Sequence, residues 1–169
     1  MTERVQPAIW TQPQAIRVKV LGLVWRGADL LLGPVPGSDG RVIGMRPLGG
    51  SVLFGETREQ ALAREFDEEL GCRIAVTGPW HVLENIFGHE GATGHEIVFV
   101  ADAVLADRSL YDEDRVRYVD SDGTACLATW HGPDRLPDRV ELYPKGLSAL
   151  LASRDPRTTH VTDHPRPSI

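Results

Sequence analysis

The chain has 169 residues, a net charge of −6, and 41% hydrophobic against 25% charged residues. That length and mix suit one soluble globular domain with a sizeable core. The acidic balance argues against broad nucleic-acid binding, which needs a basic patch, and the two cysteines, Cys72 and Cys126, make no disulfide framework.

No apolar run reaches membrane-spanning length, and the polar N-terminus lacks a signal-peptide core. A cytoplasmic, reduced setting with no membrane partner is expected. Residues 1–15, with scattered Pro and Gln, read as an irregular arm. Residues 16–25 alternate as a strand, 27–29 turn, and Leu30, Leu31 and Leu32 open the next strand. Residues 33–40 carry Gly, Pro, Ser and Asp and read as a hairpin connection. They lack the Lys-Ser/Thr of a phosphate loop. Residues 41–48 return as a strand.

A helix follows. Thr57 suits its N-cap, Gln60 completes a capping box, and Gly71 supplies the stop. Leu62, Phe66 and Leu70 form an apolar stripe that expects a sheet beneath it. After the helix, residues 73–77 and 80–87 read as strands, 88–94 as a polar glycine-rich loop, and 96–105 as a strand. Residues 106–123 read as acidic and irregular, and 124–130 as a strand. Pro144 suits the first turn of a last helix carrying Leu147, Leu150 and Leu151. Residues 154–169 lack periodicity and read as a mobile tail. Strands interleaved with two helices predict an α/β sandwich around a mixed sheet.

The first helix also carries the chemistry. Glu65, Glu68 and Glu69 stand at i, i+3 and i+4 and so neighbour one another on its surface. Like charges at that spacing disfavour a helix, which implies a positive charge held between them. Clustered carboxylates suit Mg²⁺ or Mn²⁺, which often share a substrate's phosphates. A solvated acidic face is the bland alternative.

The run GSVLFGETREQALAREFDEELGC, residues 50–72, resembles the Nudix box of the Nudix hydrolases. Gly50, Glu56, Arg64, Glu65, Phe66, Glu68, Glu69 and Gly71 meet every fixed polar and glycine position. Cys72 replaces the usual Ile, Leu or Val, a mild change because buried Cys behaves as a small hydrophobe. Arg46-Pro47-Leu48-Gly49-Gly50 resembles the segment leading into the box, with Leu48 where many relatives carry Pro. The resemblance covers roughly residues 16–153, which would be one Nudix domain, an α/β/α sandwich around a mixed β-sheet.

The resemblance implies Mg²⁺-dependent hydrolysis of a pyrophosphate bond in a nucleoside diphosphate joined to another group, with Mn²⁺ as a substitute. It implies Glu65, Glu69 and then Glu68 as metal ligands and catalytic residues, with the Gly50 carbonyl as a further ligand. Arg64 would pair with Glu56 to hold loop and helix in register. The general base stays open among Glu65, Asp120 and Asp122; for both aspartates a solvated turn is the favoured reading. Arg46 is a candidate for phosphate contact and Glu96 for substrate contact, while Arg17 and Arg26 are weaker candidates. Trp80, Phe87 and Tyr143 suit base stacking, although aromatics at such positions are more often core.

The expected partner is a small nucleotide, with no nucleic acid beyond RNA ends; a homodimer stays open. The ADP-ribose-type proline some fifteen residues past the box and the NADH-type motif are both missing. Their absence leans toward a nucleoside triphosphate or a general nucleotide substrate. A non-catalytic Nudix-fold module that binds a nucleotide metabolite is the alternative.

Overall fold

The computed structural model describes residues 14–89 and 91–154. The arm expected over 1–15 and the tail expected over 154–169 therefore lie almost wholly outside the described residues. Strand β1 (Ile16–Arg26) is the spine of the sheet. Its residues Val20 to Val24 are all buried, as expected of a strand covered on both sides. It runs parallel to β7 (Ala92–Leu105) and antiparallel to β4 (Gly49–Ser51), and its last residues pair with β2 (Asp29–Pro36).

One wing continues from β7 to β5 (Ile74–Val76) and β6 (His81–His89). The other continues from β2 to β3 (Val42–Pro47) and β10 (Glu141–Leu142) on one side. On its other side lie β9 (Ala125–His131) and β8 (Arg115–Val119). Parallel and antiparallel pairs thus share one mixed sheet of ten strands among the described residues.

Two helices cover opposite faces. Helix α1 (Arg58–Leu70) is fixed by its sequence at both ends. The Thr57 hydroxyl accepts from the Gln60 amide at 3.2 Å, and the Gln60 side chain accepts from the Thr57 amide at 2.9 Å. Gly71 closes it with φ of 61°, the left-handed conformation that glycine adopts without strain. Leu62 and Phe66 pack with Val20, Val24, Leu31 and Leu48. Helix α2 (Leu147–Ser153) lays Leu147 against Leu23, Leu30, Leu32 and Met45. The alternation of β1 sends its even positions to α1 and its odd ones to α2.

Three segments differ from expectation, the first being the last helix, which starts at Leu147 behind an N-cap at Gly146, so that Pro144 precedes it instead of standing in its first turn. Residues 88–94 form a tight hairpin between β6 and β7, paired through His89 and Ala92, instead of a loop. Gly91, with φ of 80°, makes so short a turn affordable. The acidic stretch 106–123 contains a 3₁₀ turn (Arg108–Tyr111) and strand β8. Val116 and Tyr118 point inward from β8 and are buried, and the charged residues alternate outward. Among the described residues, no helix is long and apolar enough to cross a membrane.

Candidate active site

The buried face of α1 consists of Ala61, Leu62, Glu65, Phe66 and Glu69. The helix therefore carries two carboxylates to the edge of its apolar contact with the sheet. Both Glu65 and Glu69 are only 6% exposed. Opposite them stand Gly49 and Gly50, which open β4 directly after its turn from β3. A Cβ on Gly50 would lie 2.1 Å from the Glu65 carboxyl carbon, so only glycine leaves room there. The sequence motif thus has a steric cause: glycine and glutamate share one space.

Arg64 braces the group. Its Nε donates to Glu56 Oε1 at 2.6 Å, and one terminal nitrogen donates to Glu56 Oε2 at 3.0 Å, a bidentate fork. The same nitrogen reaches the Ser51 carbonyl at 2.8 Å. The other terminal nitrogen bonds Glu65 at 3.0 Å and Glu68 at 3.1 Å. The expected pairing of Arg64 with Glu56 is present, and it ties loop, β4 and helix together. Hydrogen bonding to Arg64, then to the Leu53 amide, pulls the Glu56 carboxyl down to about 2.

Arg64 is also what stands between Glu65 and Glu68. Glu68 is 60% exposed and turned toward the guanidinium. Among the described residues, no three His, Cys, Asp or Glu side chains converge as a ready-made metal cage. The carboxylates that the fold does bring together at the glycine turn are Glu65 and Glu69, with Asp120 nearby.

Glu69 is the exceptional group. Its Oε2 is buried with no hydrogen-bond partner. Burial pushes its carboxyl up to about 8; Arg46 opposes this, and the charges of Glu65 and Asp120 add to it. A buried carboxylate oxygen without a donor costs free energy unless a proton or a cation meets it. A divalent cation fits this donor set: two buried carboxylates, a glycine turn and no competing lysine or arginine on that oxygen.

Asp120 stands in the turn between β8 and β9. It pairs with Arg46 at 3.5 Å while its backbone closes the turn onto Thr124. The turn reading is correct for its backbone, but the side chain also faces the site. Asp122 stays a turn residue and accepts from the Thr124 amide at 2.8 Å.

A cavity of about 440 Å³ adjoins this centre, reaching it through Gly49, Arg46 and Asp120. Strand register lines up Asn85, Glu96 and Arg17 across β6, β7 and β1 on the cavity wall. Arg17 bonds Glu96 Oε1 at 2.6 Å, and the Asn85 amide donates to Glu96 Oε2 at 3.1 Å. The Asn85 carbonyl accepts from the Lys145 amide at 3.3 Å. The partners that a buried Glu96 requires are thus Arg17 and Asn85. His95, the neighbour of Glu96 in sequence, points to the other face and bonds Glu84 at 3.1 Å.

Phe87 and Tyr143 line the cavity, whereas Trp80 packs edge-on to Phe99 with Arg58 over its ring. Arg26 lies over Trp130, away from the cavity. Lys19 and Asn85 were not singled out by sequence reasoning. A charged residue at an alternating strand position was the available signal for Lys19.

No family model matches the chain. Among solved structures it is similar to a MutT Nudix hydrolase from Burkholderia pseudomallei. That likeness has 24% identity and a TM-score of 0.54, over 82% of this chain and 96% of the other. It is also similar to a Nudix-family hydrolase from Clostridium perfringens, with 16% identity and a TM-score of 0.51 over 82% and 94%. An ADP-ribose pyrophosphatase from Streptococcus suis matches at 15% identity and a TM-score of 0.50 over 82% and 88%. Sheet order, helices on opposite faces and these likenesses together show that the chain has the Nudix fold.

Proposed function

We propose that this protein is a divalent-cation-dependent Nudix hydrolase that cleaves a phosphoric anhydride in a nucleotide derivative. The observation that carries the reading is the buried, partnerless oxygen of Glu69 beside Glu65 and the glycine turn. The complete Nudix box supports it, as do the fold and the named activities of similarly folded proteins.

Glu65 and Glu69 would hold Mg²⁺ or Mn²⁺, with the Gly50 carbonyl and Glu68 as further ligands. When bound, the cation polarises phosphoryl oxygens and lowers the pKa of water. The chain's own residues do the rest. Arg64 keeps Glu65 aimed at the glycine turn, and Glu56 locks Arg64 in place. Arg46 offers a guanidinium to a phosphate at the cavity mouth. Asp120 lines that cavity and takes up the proton of the attacking water. Glu96, fixed by Arg17 and Asn85, presents a polar wall to the rest of the substrate.

The absence of a preformed three-carboxylate cage among the described residues favours one second reading, a nucleotide-binding module without turnover. Hydrolysis of a panel separates the two: canonical and oxidised nucleoside triphosphates, ADP-ribose, nucleotide sugars and dinucleotides, with Mg²⁺ or with chelator. Chelator-sensitive turnover that Glu69→Gln abolishes is the expected result. Nucleotide binding without turnover on every member would favour the module.

A further inference from the structure

The proposed mechanism gives no role to the side chain of Lys19, one of the cations that line the cavity. Lys19 lies on β1 opposite Ser51 of β4, two residues from Arg17 and so about 7 Å along the strand on the same face. It lines the cavity with Arg17 and Arg46. Its amine feels the charges of Glu96 and, more weakly, Glu65. Lys19 is thus next to Ser51, the neighbour of Gly50, in strand register, and shares the cavity lining with Glu96.

Both arginines of the cavity face carboxylates. Arg17 is bonded to Glu96 at 2.6 Å, and Arg46 faces Asp120 at 3.5 Å. The Lys19 side chain makes no hydrogen bond or ion pair among the described residues. Burial, and then the charge of Arg46, push its amine below the usual lysine range. A half-buried lysine among arginines is costly unless an anion arrives. The far wall is apolar and aromatic, with Val35, Ile43, Phe87 and Tyr143. A ligand that suits both ends is an anion joined to a flat or apolar group.

We propose that Lys19 binds a phosphoryl oxygen of a nucleotide whose nucleoside lies in this cavity and whose phosphate chain runs toward Glu65 and Glu69. This assignment rests on the hydrolase reading for its direction, but not for the contact itself. It makes Lys19 a substrate-binding residue and places the phosphate ester of the nucleoside half between Lys19 and Arg46.

The test uses the full chain without metal. Binding of ADP and of adenosine is measured by calorimetry for the parent protein, Lys19→Met and Lys19→Arg, with Tm recorded for each. Lys19→Met is expected to weaken ADP binding about ten- to a hundredfold. Adenosine binding should hold, Tm should not fall, and Lys19→Arg should recover most of the ADP affinity. Under turnover conditions, KM should rise more than kcat falls. Unchanged ADP affinity in Lys19→Met overturns the assignment, as does equal loss of ADP and adenosine with a lower Tm.

The two readings fail separately. Anhydride hydrolysis with a KM insensitive to Lys19→Met would sink only the lysine contact. ADP held through Lys19 with no cleavage of any anhydride would sink only the hydrolase.

Discussion

Glu69→Gln should change the pH dependence of stability before any substrate is added. The folded protein keeps the Glu69 proton up to about 8, whereas an unconstrained glutamate releases it near 4.5. Between those values the folded state binds more protons than the unfolded one. The contribution of this group is therefore fully present below about 4.5 and is lost as pH rises through about 8. Taken at face value the shift corresponds to about 5 kcal/mol, and water entry at the cavity edge reduces it to about 1–3 kcal/mol.

In chelator, the parent protein should lose several degrees of Tm between pH 5 and 8.5 relative to Glu69→Gln, which removes the charge at nearly constant volume. Mg²⁺ should restore the difference, because binding only to the folded state adds about 2.7 kcal/mol at a hundred times Kd. The restoration should be greater at pH 8 than at pH 5, where a proton competes with the cation. Thermal unfolding by circular dichroism, with and without Mg²⁺, reads all of this. Parallel Tm–pH curves for the two proteins in chelator, with equal Mg²⁺ shifts, would refute the reasoning.

Arg64→Lys keeps the charge but loses the fork that joins Glu56, Ser51 and Glu65. Turnover should fall about a hundredfold through misplacement of Glu65, with little change in Tm. Gly50→Ala drives a methyl group into the Glu65 carboxylate and should abolish the Mg²⁺-induced Tm shift, measured as above. Thr57→Ala removes the hydroxyl half of the capping box and should cost about 0.5–2 kcal/mol in urea unfolding, without altering Mg²⁺ affinity.

The helix and its caps were legible because their determinants are local. A hydroxyl, an amide side chain and a glycine, each within one turn of a helix end, specify Thr57, Gln60 and Gly71. The Arg64–Glu56 fork also spans only eight positions. Strand β8 was hidden because Asp112, Glu113 and Asp114 before it, and Asp120 and Asp122 after it, swamp the inward alternation of Val116 and Tyr118.

The β6–β7 hairpin was hidden because Gly88, Gly91 and Gly94 together read as loop, whereas only Gly91 stands in the turn and the other two lie in the paired strands. The cavity wall was hidden for a different reason. Arg17 and Glu96 are 79 positions apart, and only the parallel register of β1 and β7 makes them partners. Lys19 was missed because the strand pattern treats a lone charge as an outward residue, whereas here the cavity admits it inward. Asp120 shows that a turn aspartate can close its turn with backbone and still turn its side chain to a site.

Hydrolysis of the preferred panel substrate in ¹⁸O-water, followed by ³¹P NMR with Mg²⁺ and with chelator, tests the central claim most directly. The account expects two phosphorylated products, a nucleoside monophosphate among them, with ¹⁸O on one phosphorus from the broken anhydride. Cleavage should stop in chelator and in Glu69→Gln. Chelator-resistant cleavage, or full turnover in the folded Glu69→Gln protein, would contradict it.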